Sequence, residues 1–206
     1  MQDNHACDYL AAPAMVRTMK FLKCLARGPD VIDSSFITAC LETGKRPNVE
    51  DYRLVDKENE KRFGVTLEQA LARARANKGK LLWKVPIFCT ADIKNGVDSY
   101  QQIAEANGAI FKVYRARSGT LIKPTSVEED ESMDGYEGPE PVYLLTSQSA
   151  GERQLWKKFE DMARKGNMEP RIVVSDWLLD VAMRQELSWD GRYLAVKYFA
   201  EEGKGQ

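Results

Sequence analysis

The sequence predicts an α/β fold with parallel sheets, assembled from two related units in tandem. Three observations carry that prediction. Short apolar segments alternate with amphipathic helical ones along most of the 206 residues. The stretch "YL…MKFLKCLARG…VIDSSFITACL" lines up with "YLL…WKKFEDMARKG…IVVSDWLLDVA", a repeat within one chain. In that alignment Phe36 falls on Trp177, Ser34 on Ser175 and Lys20 on Lys157, so each copy ends in a helix that opens with an aromatic residue.

The first copy begins with the strand "CDYLAA". "VRTMKFLKCLARGP" follows as a helix over 14–27, with Val16, Met19, Leu22 and Leu25 on one side and Gly28-Pro29 as its stop. Arg17, Lys20, Lys23 and Arg27 share the other side, and residues 10–29 contain no acid. The preceding "AAPA" offers no capping side chain. The reading is therefore of free N–H groups beside two unpaired cations at a helix start, which is either a site completed by a visiting anion or an ordinary solvated basic face. In the second copy Gln154 replaces Arg17, so this basic helix start belongs to the first copy alone.

"DVID" reads as a strand. Ser34 or Ser35 then caps a helix with Phe36, Ile37, Cys40 and Leu41 as its core face and Gly44 at its end. Residues 45–64 are polar and read as irregular. "TLEQALARARANKG" follows as a connecting helix, with Thr66 and Gln69 in capping-box spacing. The second copy supplies strands at "PIFCTADI", "IFKVYRA", "PVYLLTS" and "RIVVS", with helices at "VDSYQQIAEANGA", "GERQLWKKFEDMARKG" and "DWLLDVAMRQEL". Residues 117–140, with five acids between Glu128 and Asp134, read as a disordered acidic loop. Ser126 and Ser132 sit beside those acids.

Composition narrows the function. Thirty basic residues against 31 acidic ones lack the basic excess of a chain devoted to nucleic acid. His5 is the only histidine, and Cys7, Cys24, Cys40 and Cys89 show no C-x-x-C spacing, so neither a zinc site nor a His-based catalytic triad is expected. Cys24 and Cys40 read as buried free thiols of a reduced intracellular protein. No apolar run reaches the ~18 residues of a membrane helix, and the opening residues lack a signal-peptide core. Nucleotide-binding and nucleophile-elbow motifs are missing too. No enzyme and no cofactor are expected.

"VVSDWLLD" and "IDSSFITACL" resemble the aromatic-bearing last helix of BRCT repeats. "RTMKF" (17–21) resembles the first-repeat signature of phosphopeptide-binding tandem BRCT pairs. The stretches "DKENEKRFGVTLEQALARARANKGKLL" and "MEPRIVVSDWLLDVAMRQELSWD" resemble the C-terminal BRCT pair of fungal multi-BRCT genome-maintenance scaffolds. The resemblance implies two small four-stranded parallel sheets flanked by helices. It places the C-terminal part of a first repeat at 5–64, a linker helix at 65–84 and a second repeat at 85–200. The first repeat, entering at its third strand, is expected to be incomplete at its N-terminus. Missing there would be the Ser/Thr-Gly turn that accompanies the phosphate-gripping lysine.

The same resemblance implies that Lys20 grips a phosphoserine, that Thr18 supports it, and that Arg17 meets the peptide backbone or its C-terminal carboxylate. A pocket for the third residue beyond the phosphate would be lined by Leu22, Asn95, Ser175 and Leu179, with Leu22 and Leu179 equally readable as core. The implied partners are the damage-phosphorylated tail of a core histone, or a similar phosphoprotein, and other DNA-repair proteins in the nucleus. Phosphate-independent protein binding and direct DNA binding through the 17–27 face are the alternatives.

Overall fold

The computed structural model describes residues 7–115, 139–147 and 150–196. Two compact units emerge: Met1–Leu81 with Leu179–Leu187, and Leu82–Leu178 with Ser188–Gln206.

In the first unit β1 (Tyr9–Ala12) pairs in parallel with β2 (Asp30–Asp33), Tyr9 opposite Asp30 and Ala12 opposite Asp33. Between them runs α1 (Met19–Leu25), which buries Phe21, Leu22 and Leu25. Gly28 turns the chain with φ +68°, and a Cβ there would lie 2.6 Å from Cγ of Arg75, so a side chain fails on both counts. α2 (Ser35–Thr43) follows, ending at Gly44 in the left-handed conformation. Its expected core face is not buried: Ile37 is 51% and Leu41 80% exposed. Phe36 is half-buried and meets the Tyr52 ring edge-on at 5.4 Å.

The stretch 45–64, read as irregular, contains a short 3-10 turn (Val49–Tyr52) and a helix, α3 (Lys57–Phe63). Asp56 caps α3 by accepting the Asn59 N–H, acids lie in its first turn and Lys61 and Arg62 in its last. α4 (Leu67–Asn77) carries the complete Thr66–Gln69 capping box, as the sequence spacing predicts, and buries Leu67, Ala70, Leu71 and Ala74.

The second unit is a four-stranded parallel sheet in the order β4-β3-β5-β6, formed by β3 (Pro86–Thr90), β4 (Ile110–Tyr114), β5 (Pro141–Thr146) and β6 (Glu169–Val174). Its helices are α5 (Val97–Ala106), α6 (Arg153–Lys165) and α7 (Asp176–Arg184). Residues 176–178 of α7 belong to this unit and 179–184 to the first. Trp177 is fully buried and stacks on Tyr143, rings 4.1 Å apart and 12° from parallel. Phe88, Tyr114 and Phe159 meet edge-to-face at 5.4–6.4 Å on another part of the sheet.

Cys89 is buried, whereas Cys24 and Cys40 are only half-buried; these three and Cys7 are free thiols. The acidic stretch, with Ser126 and Ser132, lies outside the described residues apart from positions 139–140, and so does His5. Among the described residues no helix is long and apolar enough to cross a membrane.

Candidate functional site

Two corrections to the sequence reading define the start of α1. The helix begins at Met19 and not near residue 14, so Thr18 is its N-cap: the Thr18 hydroxyl accepts the Phe21 N–H at 3.4 Å. Arg17 precedes the helix and is not unpaired. Its Nη1 donates to Oδ1 of Asp180 at 2.8 Å, and its guanidinium lies 6.0 Å from the Phe63 ring centroid. A cation just outside a capped helix, tied to a carboxylate, carries none of the penalty expected of one inside the first turn.

The approach to this turn is fixed by Asp56. Its carboxylate accepts from the Met15 N–H at 2.8 Å and from the Asn59 side chain at 2.8 Å. Burial works to raise its pKa, but the bonds from Asn59 and Met15 outweigh it and hold the carboxyl below its ordinary value. Residues 179–187 are anchored by other polar contacts within the same unit. Arg73 donates to the Arg184 carbonyl at 3.1 Å, Asn77 to the Gln185 carbonyl at 3.1 Å, and Arg184 to the Phe63 carbonyl at 3.0 Å. Asp180 is thereby held where Arg17 meets it.

In the first turn of α1, Lys20 is exposed and has no hydrogen bond or ion pair among the described residues. The first unit therefore brings Arg17, Thr18 and Lys20 together: a capped helix start, an oriented guanidinium and an available ammonium. Lys23, expected with them on an open basic face, is half-buried, while Arg27 is exposed.

The residues of the expected third-residue pocket differ in setting. Leu22 has no exposed surface and is core. Leu179 is half-buried in the first unit. In the second unit Asn95 is exposed, with φ +71° and its amide 3.5 Å from the Tyr100 hydroxyl, and Ser175 is half-buried. Among the described residues no group of His, Cys, Asp or Glu could hold a metal ion. Asp180 is the residue that sequence reasoning missed. Its only signal is an acid facing Arg17 from 163 positions away, which no local pattern reveals.

Residues 1–54 match the family model described as the Regulator of Ty1 transposition protein 107 BRCT domain. The chain is 30% identical over 188 residues to BRCT-containing protein 1 of Schizosaccharomyces pombe, covering 90% of this chain and 20% of that protein. It thus spans about a fifth of the length of that relative. Among solved structures, the BRCT5-BRCT6 domains of S. pombe Brc1 superpose with a TM-score of 0.63 at 29% identity, covering 88% of this chain and 80% of that one. The complex of Rtt107p with a phosphorylated histone superposes with a TM-score of 0.61 at 19% identity, over 91% of this chain and 75% of that one.

Proposed function

We propose that this chain, which has the tandem BRCT fold and resembles the C-terminal BRCT pair of fungal genome-maintenance scaffolds, is a phosphoserine-peptide reader of a DNA damage response scaffold. It is a binding module and not an enzyme. The observation that carries the reading is Lys20, an exposed ammonium in the first turn of a helix capped by Thr18 and preceded by an oriented Arg17. A phosphate dianion next to such an ammonium gains charge-assisted hydrogen bonds. The guanidinium supplies the fork-shaped donor set that suits a backbone carbonyl or a terminal carboxylate.

The ligand we propose is the damage-phosphorylated tail of a core histone or a phosphoprotein tail of the same chemistry, met in the nucleus. The solved complex with a phosphorylated histone supports this choice through its shared fold. We place the first repeat at 5–64, the linker helix at 65–84 and the second repeat at 85–200, and assign phosphate reading to the first. The test is titration with one serine-containing tail peptide in phosphorylated and unphosphorylated form. Binding of the phosphorylated form alone is expected. Equal affinity for both would favour phosphate-independent protein binding, and a salt-steep affinity for DNA with no peptide preference would favour direct DNA binding.

A further inference from the structure

In a parallel sheet, the carboxyl ends of neighbouring strands and the starts of the following helices converge on one crevice, where N–H groups and the helix dipole favour an anion. In the second unit that crevice lies at Thr90 and Thr146, the last residues of the paired strands β3 and β5. The thirteen-residue helix α6 follows β5 after a connection of six residues. Its N-cap residue, Glu152, makes no side-chain capping bond. The carboxylate turns back to the strand end instead. Its Oε2 accepts from the Thr146 hydroxyl and from the Ser147 N–H at 3.0 Å. The indole N–H of Trp156 donates to the same Thr146 oxygen at 2.9 Å, and the Ser147 carbonyl, 3.1 Å away, is a second acceptor for the Thr146 hydroxyl proton.

Glu152 is only 6% exposed, and its second oxygen, Oε1, has no hydrogen-bond partner among the described residues. The hydroxyl of Thr90, 1% exposed, has none either. The thiol of Cys89 on β3 is pushed up to about 12 by burial and by the Glu152 charge, so that charge is felt at β3 as well as at β5. A buried carboxylate held through one oxygen, with the other unpaired, is costly unless the surroundings are built for an anion.

We infer that the strand-end crevice of the second unit is an oxyanion site whose resident ligand is the tethered carboxylate of Glu152. A small free carboxylate takes its place when that side chain is removed. The repeat alignment puts Ala12, Met15 and Met19 of the first copy at the positions of Thr146, Glu152 and Trp156, so the first copy has none of this machinery. The second unit supplies its own anion and by its charge repels an external one, which leaves phosphate to the first. That last consequence rests on the phosphopeptide reading; the site itself does not.

The test uses the whole chain with Glu152→Ala, unfolded thermally in sodium formate and in sodium chloride at matched ionic strength. In chloride the melting temperature should fall by roughly 5–15 °C, the effect expected of losing buried hydrogen bonds to a charged group. Formate should restore most of that loss with a saturable dose dependence. The unsubstituted chain, its crevice occupied, should show no response specific to formate. Adding Thr146→Val to Glu152→Ala should abolish the rescue. Glu152→Gln, which fills the same space and keeps an acceptor oxygen, should melt between the two and ignore formate. A Glu152→Ala chain that melts like the unsubstituted one, or behaves alike in formate and chloride, folded or not, overturns the inference. Failure of phosphopeptide binding would leave the formate rescue intact, so the two readings fail separately.

Discussion

Arg17 and Asp180 lie 163 positions apart in the chain and 2.8 Å apart in the structure, joined by a guanidinium–carboxylate contact. Their side chains are 28% and 21% exposed, so solvent screens the pair only in part. A double-mutant cycle of Arg17→Ala and Asp180→Ala, read by chemical denaturation, should give a coupling of about 0.5–1 kcal/mol after allowing for that screening. Additive losses would show that the contact contributes nothing to stability.

Arg17 should also sense the end of the bound peptide. If the Arg17 guanidinium meets a terminal carboxylate, amidating that terminus lowers affinity for the unsubstituted chain. Arg17→Ala should then bind the free and amidated peptides equally. Independent, additive effects of mutation and amidation would rule the contact out.

Trp177, fully buried against Tyr143, should cost about 3–5 kcal/mol of second-unit stability on change to Ala. Its indole N–H is buried without a partner among the described residues. Trp177→Phe, which removes no satisfied hydrogen bond, should therefore cost less than half as much. Thermal melts of the two variants check the ordering, and an unchanged melting temperature for Trp177→Ala would contradict the core assignment.

Hydrogen exchange should separate the two sheets. Among the described residues β1 pairs on one side only, with β2, while β3 and β5 have strand neighbours on both sides. Amides of Tyr9–Ala12 should exchange well before those of Ile87–Cys89 and Tyr143–Leu145. Equal protection would show that β1 has a second neighbour.

These contrasts also show where the sequence is informative. Trp177, the α4 capping box and the alternation of strands and helices are legible because each rests on a local pattern: an apolar period, a cap or a turn. α3 is not, because it buries only Phe63 and is held by the Asp56 cap and its terminal charges, which leaves no apolar period to find. The start of α1 is misleading in sequence because Val16 extends the apolar spacing back past Thr18, while the Thr18 hydroxyl ends the helix there. Ile37 and Leu41 continue a helical apolar pattern yet remain exposed, since periodicity reports a face and not what covers it. At the candidate site Thr18 and Lys20 are local, and a resemblance over five residues finds them. Asp180 reaches Arg17 only through tertiary structure, beyond any spacing rule.

The most direct test of the central claim is a comparison of Lys20→Ala with Lys157→Ala on one phosphoserine peptide, measured by calorimetric titration. Lys20 and Lys157 occupy equivalent positions of the two copies and both are exposed, so the pair controls for simple loss of surface charge. Lys20→Ala should weaken binding about 10- to 100-fold, the worth of a charge-assisted hydrogen bond of ~1.5–3 kcal/mol. Lys157→Ala should change it by less than about twofold, as a screened surface charge does. Equal losses from the two, or no loss from Lys20→Ala, would contradict the assignment of phosphate reading to the first unit.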